Sequence, residues 1–174
     1  MAQDKTVDNL TVQGSVAGDF SLPFEIDSVS DTDYSTNVSK TLQTNREANL
    51  YLVRGRYASG GGLPELEVTI DGITTANYNY TFIDTGTISY TSGDTSWKIV
   101  GSDSGGRTVG FELLLYLGDN FGGSATPVIS GDIAGKTGIQ KGEIFVNNLP
   151  ADTIEFSTGA GAVLKATLYG LEGV

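Results

Sequence analysis

An all-β fold of sandwich or barrel type is what this chain predicts, on three observations. Apolar residues alternate with polar ones in short runs, the period of a half-buried strand. Glycine is abundant, 24 residues against 4 prolines and without a collagen repeat, so the chain turns often and tightly. No segment combines a helix start signal with apolar residues at helical spacing. At 174 residues, with 39% apolar and 18% charged residues, the chain is long enough to bury one real core.

The elements follow in order. Val7–Val16 places Leu10 and Val12 on one strand face, too short and polar to form a core alone. In the next run Phe20, Leu22, Phe24 and Ile26 alternate strictly, and Pro23 puts this strand at a sheet edge. Asp31–Gln43 is rich in Ser, Thr, Asn and Asp and reads as a loop with at most a short strand. Asn49–Tyr57 is a strand with Leu50, Leu52 and Arg54 on one face and Tyr51, Val53 and Tyr57 towards the other. A turn at Gly60–Gly62 leads to Leu66, Val68 and Ile70, a further half-buried strand. Asp71-Gly72 is a strong turn signal, after which Ala76–Phe82 is extended again.

Strands are also expected at Thr87–Tyr90, Ser96–Val100, Val128–Ile133, Glu143–Val146 and Thr153–Phe156. Val109–Leu117 carries a continuous apolar run, read as a central strand buried on both sides. The chain then closes on Ala162–Tyr169, reached through a turn at Gly159 and Gly161. About ten short strands with frequent turns is the spacing of a sandwich or barrel.

Composition excludes whole classes of chemistry. The formal net charge of −11 repels phosphate backbones, which argues against nucleic-acid partners. It keeps the protein soluble and permits a halophilic source, where salt screens the repulsion within about 3 Å at 1 M. With no cysteine and no histidine, disulfides, thiol nucleophiles, the commonest general base and most zinc chemistry drop out together. MAQDKTVDNL has no apolar core of signal-peptide length, and no stretch approaches a membrane span, so neither a signal peptide nor membrane insertion is expected.

Four features resemble a known type of module. These are Leu50–Arg56 leading through glycines to Leu66–Ile70, and Asp71-Gly72 followed by Asn77-Tyr78-Asn79-Tyr80. The others are the long apolar strand Phe111–Leu117, and the closing Ile154–Gly170 with its Leu168-Tyr169-Gly170 end. Together with the leader Asp8–Gly18 they resemble the jelly-roll or related β-sandwich surface modules of tailed phages and archaeal viruses: head turrets, head fibres, decoration proteins and tail adhesins. The polar, glycine-dense spacer common in mid-domain is missing here, with Thr91–Gly106 as its shortened counterpart.

The resemblance implies a jelly-roll β-sandwich over residues 20–174 and a docking or swapping arm over residues 1–19. It implies a virion structural protein assembled in the host cytoplasm and exposed on the capsid or tail. Its partners would be further copies of itself (a trimer or pentamer), a major capsid or tail protein, and a host-surface glycan or glycoprotein. A carbohydrate-binding module and a tail receptor-binding protein are the alternatives.

Candidate site residues are few. Tyr78, Tyr80, Tyr90 and Trp97 either stack on sugar rings or fill the core or a subunit interface, where an aromatic pair adds about 0.5–1.5 kcal/mol beyond area burial. Asp31 and Asp33 offer part of a calcium-type run, but lack the glycine and distal Glu of an EF-hand loop and read better as solvated loop charge. Arg54 and Arg56 on one strand invite ion pairs between subunits. Glu65, Glu67, Glu112, Glu143 and Glu155 alternate with apolar neighbours and project outward, unlike the recessed pair of a glycosidase. Neither catalysis nor a cofactor is expected.

Overall fold

Two antiparallel sheets pack together around one core. The computed structural model describes residues 23–45, 48, 50–75, 78–84, 86–105, 108–117, 128–129, 138–144 and 151–171. The expected arm over 1–19, the strand Val7–Val16, and Phe20 and Leu22 lie outside the described residues.

Twelve strands are described: β1 Phe24–Ser30, β2 Asn37–Gln43, β3 Leu50–Ser59, β4 Leu66–Ile70, β5 Tyr78–Asp84, β6 Thr87–Asp94, β7 Trp97–Val100, β8 Thr108–Tyr116, β9 Val128–Ile129, β10 Gly138–Ile144, β11 Thr153–Ala160 and β12 Ala162–Leu171. One sheet has the order β1-β12-β3-β8-β9, the other β2-β11-β4-β7-β10-β5-β6. As Pro23 implies, β1 is an edge among the described strands.

Alternation sets the core. In β3, Tyr51, Val53 and Tyr57 turn inward and are fully buried; in β12, Ala162, Leu164, Ala166 and Leu168 do the same. The facing sheet contributes Leu42, Leu66, Val68, Ile70, Ile154 and Phe156. Phe111 and Phe156 meet across the sandwich with ring centroids 6.0 Å apart. Room for the Phe111 ring comes from Gly55, directly opposite on β3, where any Cβ would fall inside that ring.

Three expectations change. Asn37–Gln43 is a full strand rather than loop. Only Val38 and Leu42 of its seven residues are buried apolar, so its signal is weak, yet it pairs with β11 along its whole length, with one register shift between Thr158 and Ala160. Val109–Leu117 is buried on one side only: Val109, Phe111, Leu113 and Leu115 face the core, while Glu112, Leu114 and Tyr116 are half-buried outside. The turn expected at Gly159 and Gly161 narrows to Gly161, because Gly159 lies within β11. With φ +99° Gly161 is a one-residue corner at which the chain leaves one sheet and enters the other. Asp71-Gly72 is a tight turn as expected, both residues at positive φ and closed by an Ile73 N–H to Ile70 carbonyl bond of 2.9 Å. It joins β4 to a strand elsewhere in the sheet, since β7 and β10 lie between β4 and β5.

Candidate functional site

Three of the four proposed stacking residues belong to the core. Tyr78 and Trp97 are fully buried and meet edge to face with centroids 5.1 Å apart. A ring closed to solvent presents no face to a sugar, so these two side chains are structural. The Tyr78 hydroxyl accepts from the Ile70 N–H at 2.8 Å and donates to the Ile73 carbonyl at 3.0 Å, spanning the Asp71-Gly72 turn from inside. Trp97 lies over Gly142 and donates from Nε1 to the Asn79 carbonyl at 3.3 Å. Tyr80 is only 4% exposed; its ring packs on Phe82 and its hydroxyl donates to Asp94 at 2.8 Å. Burial pushes the hydroxyls of Tyr57, Tyr78 and Tyr80 up to about 12, and Asp94 reinforces this at Tyr80.

Tyr90 is the exception at 69% exposed, two residues from Ile88 at 65%. Both stand on β6, the outermost strand of its sheet. Of the four aromatics, only Tyr90 has a ring free to stack on a ligand.

The Asp31 and Asp33 carboxylates are committed to their own loop. Asp31 accepts from the Asp33 N–H at 2.9 Å and pairs with Lys40 at 3.3 Å. Asp33 accepts from both the N–H and the hydroxyl of Ser35, at 2.8 and 2.7 Å. The Asp33 N–H, ahead of Lys40, lowers the Asp31 pKa, and the Ser35 hydroxyl and N–H lower that of Asp33. Among the described residues no group of three or more Asp, Glu, His or Cys converges as a metal site would require.

The outer face of the β1-β12-β3-β8 sheet holds what periodicity overlooked. Its register places Tyr116, Leu50 and Leu171 in one row and Leu114, Leu52 and Tyr169 in the next, all half-buried. The following row is polar, with Glu112, Arg54, Thr167 and Ser28 side by side. Arg54 is satisfied within the chain, its Nε 2.8 Å from Glu112 across the strands. The face is thus apolar at one end and polar at the other. The signal lay in the sequence as large apolar residues on both alternating sets of β3 and β8, but only the register shows that the outer sets of three strands adjoin.

On the opposite sheet the acidic side chains face outward as expected where described. Glu65 pairs with Lys98 at 2.8 Å, Glu67 accepts from the Ser96 hydroxyl at 2.9 Å, and Glu155 stands beside Thr69. The Glu143 side chain lies outside the described residues. No protein-family model matches the chain, and no curated protein matches it either.

Proposed function

We propose that this chain is a structural module of a virus particle surface, a turret, fibre or decoration protein that works by assembling with copies of itself and attaching to a host surface. The apolar outer face of the β12-β3-β8 block carries the assembly reading. Six large side chains on the solvent side of one sheet form the kind of contiguous patch that soluble domains use to bind a partner.

The strand order supports a jelly-roll winding. β1 pairs with β12, β2 with β11, β3 with β8 and β4 with β7, the pairs of one long hairpin folded over into two four-stranded layers. The β5–β6 hairpin and β9–β10 are then insertions into that frame.

Size-exclusion chromatography with light scattering tests the reading. An oligomer is expected for the unaltered chain and a monomer for Leu52→Asp, which puts a charge at the centre of the apolar rows. A monomer at high concentration for the unaltered chain would overturn it. The second reading, a carbohydrate-binding module, is favoured by the exposed ring of Tyr90. A glycan array on wild type and Tyr90→Ala separates the two: sugar binding by a monomer that this substitution abolishes would favour the module.

A further inference from the structure

Directly beyond the Arg54 row, the same sheet face places Arg56 and Lys165 on opposed positions of β3 and β12. Cβ atoms of opposed residues lie about 4.5–5.5 Å apart, so these two exposed cations rise from one stretch of the sheet face. Among the described residues no carboxylate pairs with either of them. Gly110, which contributes no side chain, opposes Arg56 on β8, and Ser30 opposes Lys165 on β1. The surroundings form an open groove of about 490 Å³, lined by Ser28, Ser30, Arg54, Arg56, Lys165 and Thr167. Three of the chain's ten cations therefore share one groove in a protein of net charge −11, and among the described residues Glu112 is the carboxylate that pairs with one of them, Arg54.

We propose that this groove is a binding site for the carboxylate of an acidic sugar. The carboxylate sits between the Arg56 guanidinium and the Lys165 ammonium and takes charge-assisted hydrogen bonds from both. Ser28, Ser30 and Thr167 supply hydroxyls that both donate and accept, suiting the ring hydroxyls of the same sugar. The overall acidity selects against long polyanions such as nucleic acid. A singly charged sugar responds to the groove within the Debye length of about 8 Å at physiological salt. The inference deepens the attachment arm of the proposed function and rests on it for its biological sense, but not on assembly.

The experiment is an NMR titration of the full chain at low salt with glucuronate, glucose and inorganic sulfate. Saturable shifts on β1, β3 and β12 are expected with glucuronate, several-fold tighter than with sulfate, and none with glucose. Arg56→Ala and Lys165→Ala should each weaken glucuronate by about tenfold, the loss of one charge-assisted hydrogen bond. Arg56→Lys should recover part of it, and Lys98→Ala on the other sheet should change nothing. Both alanine positions are exposed, and unaltered melting curves would show that the fold persists. Absence of saturation, equal affinity for sulfate, or insensitivity to both alanine variants would overturn the proposal. So would Arg56→Ala dissociating an oligomer without changing glucuronate binding, since the groove would then hold a second copy's carboxylate. Light scattering on the same samples reports assembly separately, so either reading can fail alone.

Discussion

At the residue scale, Tyr78 and Tyr90 differ in what surrounds them rather than in type. Tyr78 bridges the Ile70 N–H and Ile73 carbonyl from inside the core, so Tyr78→Phe strands a buried donor. The expected cost is about 1–3 kcal/mol, read by urea unfolding. Trp97→Ala leaves a cavity beside Tyr78 and Gly142 and should cost about 3–5 kcal/mol, whereas Tyr90→Ala should stay within about 0.5 kcal/mol. Glycan loss on Trp97→Ala would therefore report unfolding, and only Tyr90 tests stacking.

The buried hydroxyls also fix an alkaline limit. Burial pushes the hydroxyls of Tyr57, Tyr78 and Tyr80 up to about 12 in the folded chain, against about 10 for a solvated tyrosine. Between about pH 10 and 12 the unfolded chain releases protons that the folded one keeps. The stability these groups contribute is whole below pH 10 and is lost as pH rises through 12. Its slope is at most about 1.4 kcal/mol per pH unit for each tyrosine, the limit for a whole proton of difference between folded and unfolded chain. Unfolding free energy measured against pH should fall in that window, and Tyr57→Phe should make the fall shallower.

Elements show where local pattern suffices and where it fails. β4 is legible because Leu66, Val68 and Ile70 alternate with polar residues, and β3 because half of its ten residues are large and apolar. β2 was not, because Lys40 and four other polar residues dilute Val38 and Leu42; its pairing with β11 is a long-range decision. Tight packing at Gly55 is equally invisible locally. Gly55→Ala should cost about 1–3 kcal/mol by displacing Phe111, measurable as a lower Tm, although the residue lies in a regular strand where alanine is otherwise tolerated. β6 is the opposite case: mostly exposed and at a sheet edge, with Ile88 and Tyr90 outward. Tyr90→Lys should therefore leave Tm unchanged and lower any tendency to pair edge to edge, seen in light scattering at high concentration.

For the whole molecule, composition alone set the class: frequent glycine turns and alternating apolar runs give strands, and the missing His and Cys narrow the chemistry. Alternation also told which side of each strand could be apolar. It could not tell which strands are neighbours, because strand pairing depends on contacts between residues far apart in the chain. Tertiary structure decided that β12, β3 and β8 lie side by side, which turns scattered leucines and tyrosines into one apolar face. The same register sets Arg56 against Lys165, residues more than a hundred positions apart. The assembly reading and the acidic-sugar groove both depend on that adjacency, whereas the Tyr90 reading, on the other sheet, does not. A carbohydrate-free chain that stays monomeric with its outer leucines solvated would show the adjacency to be incidental.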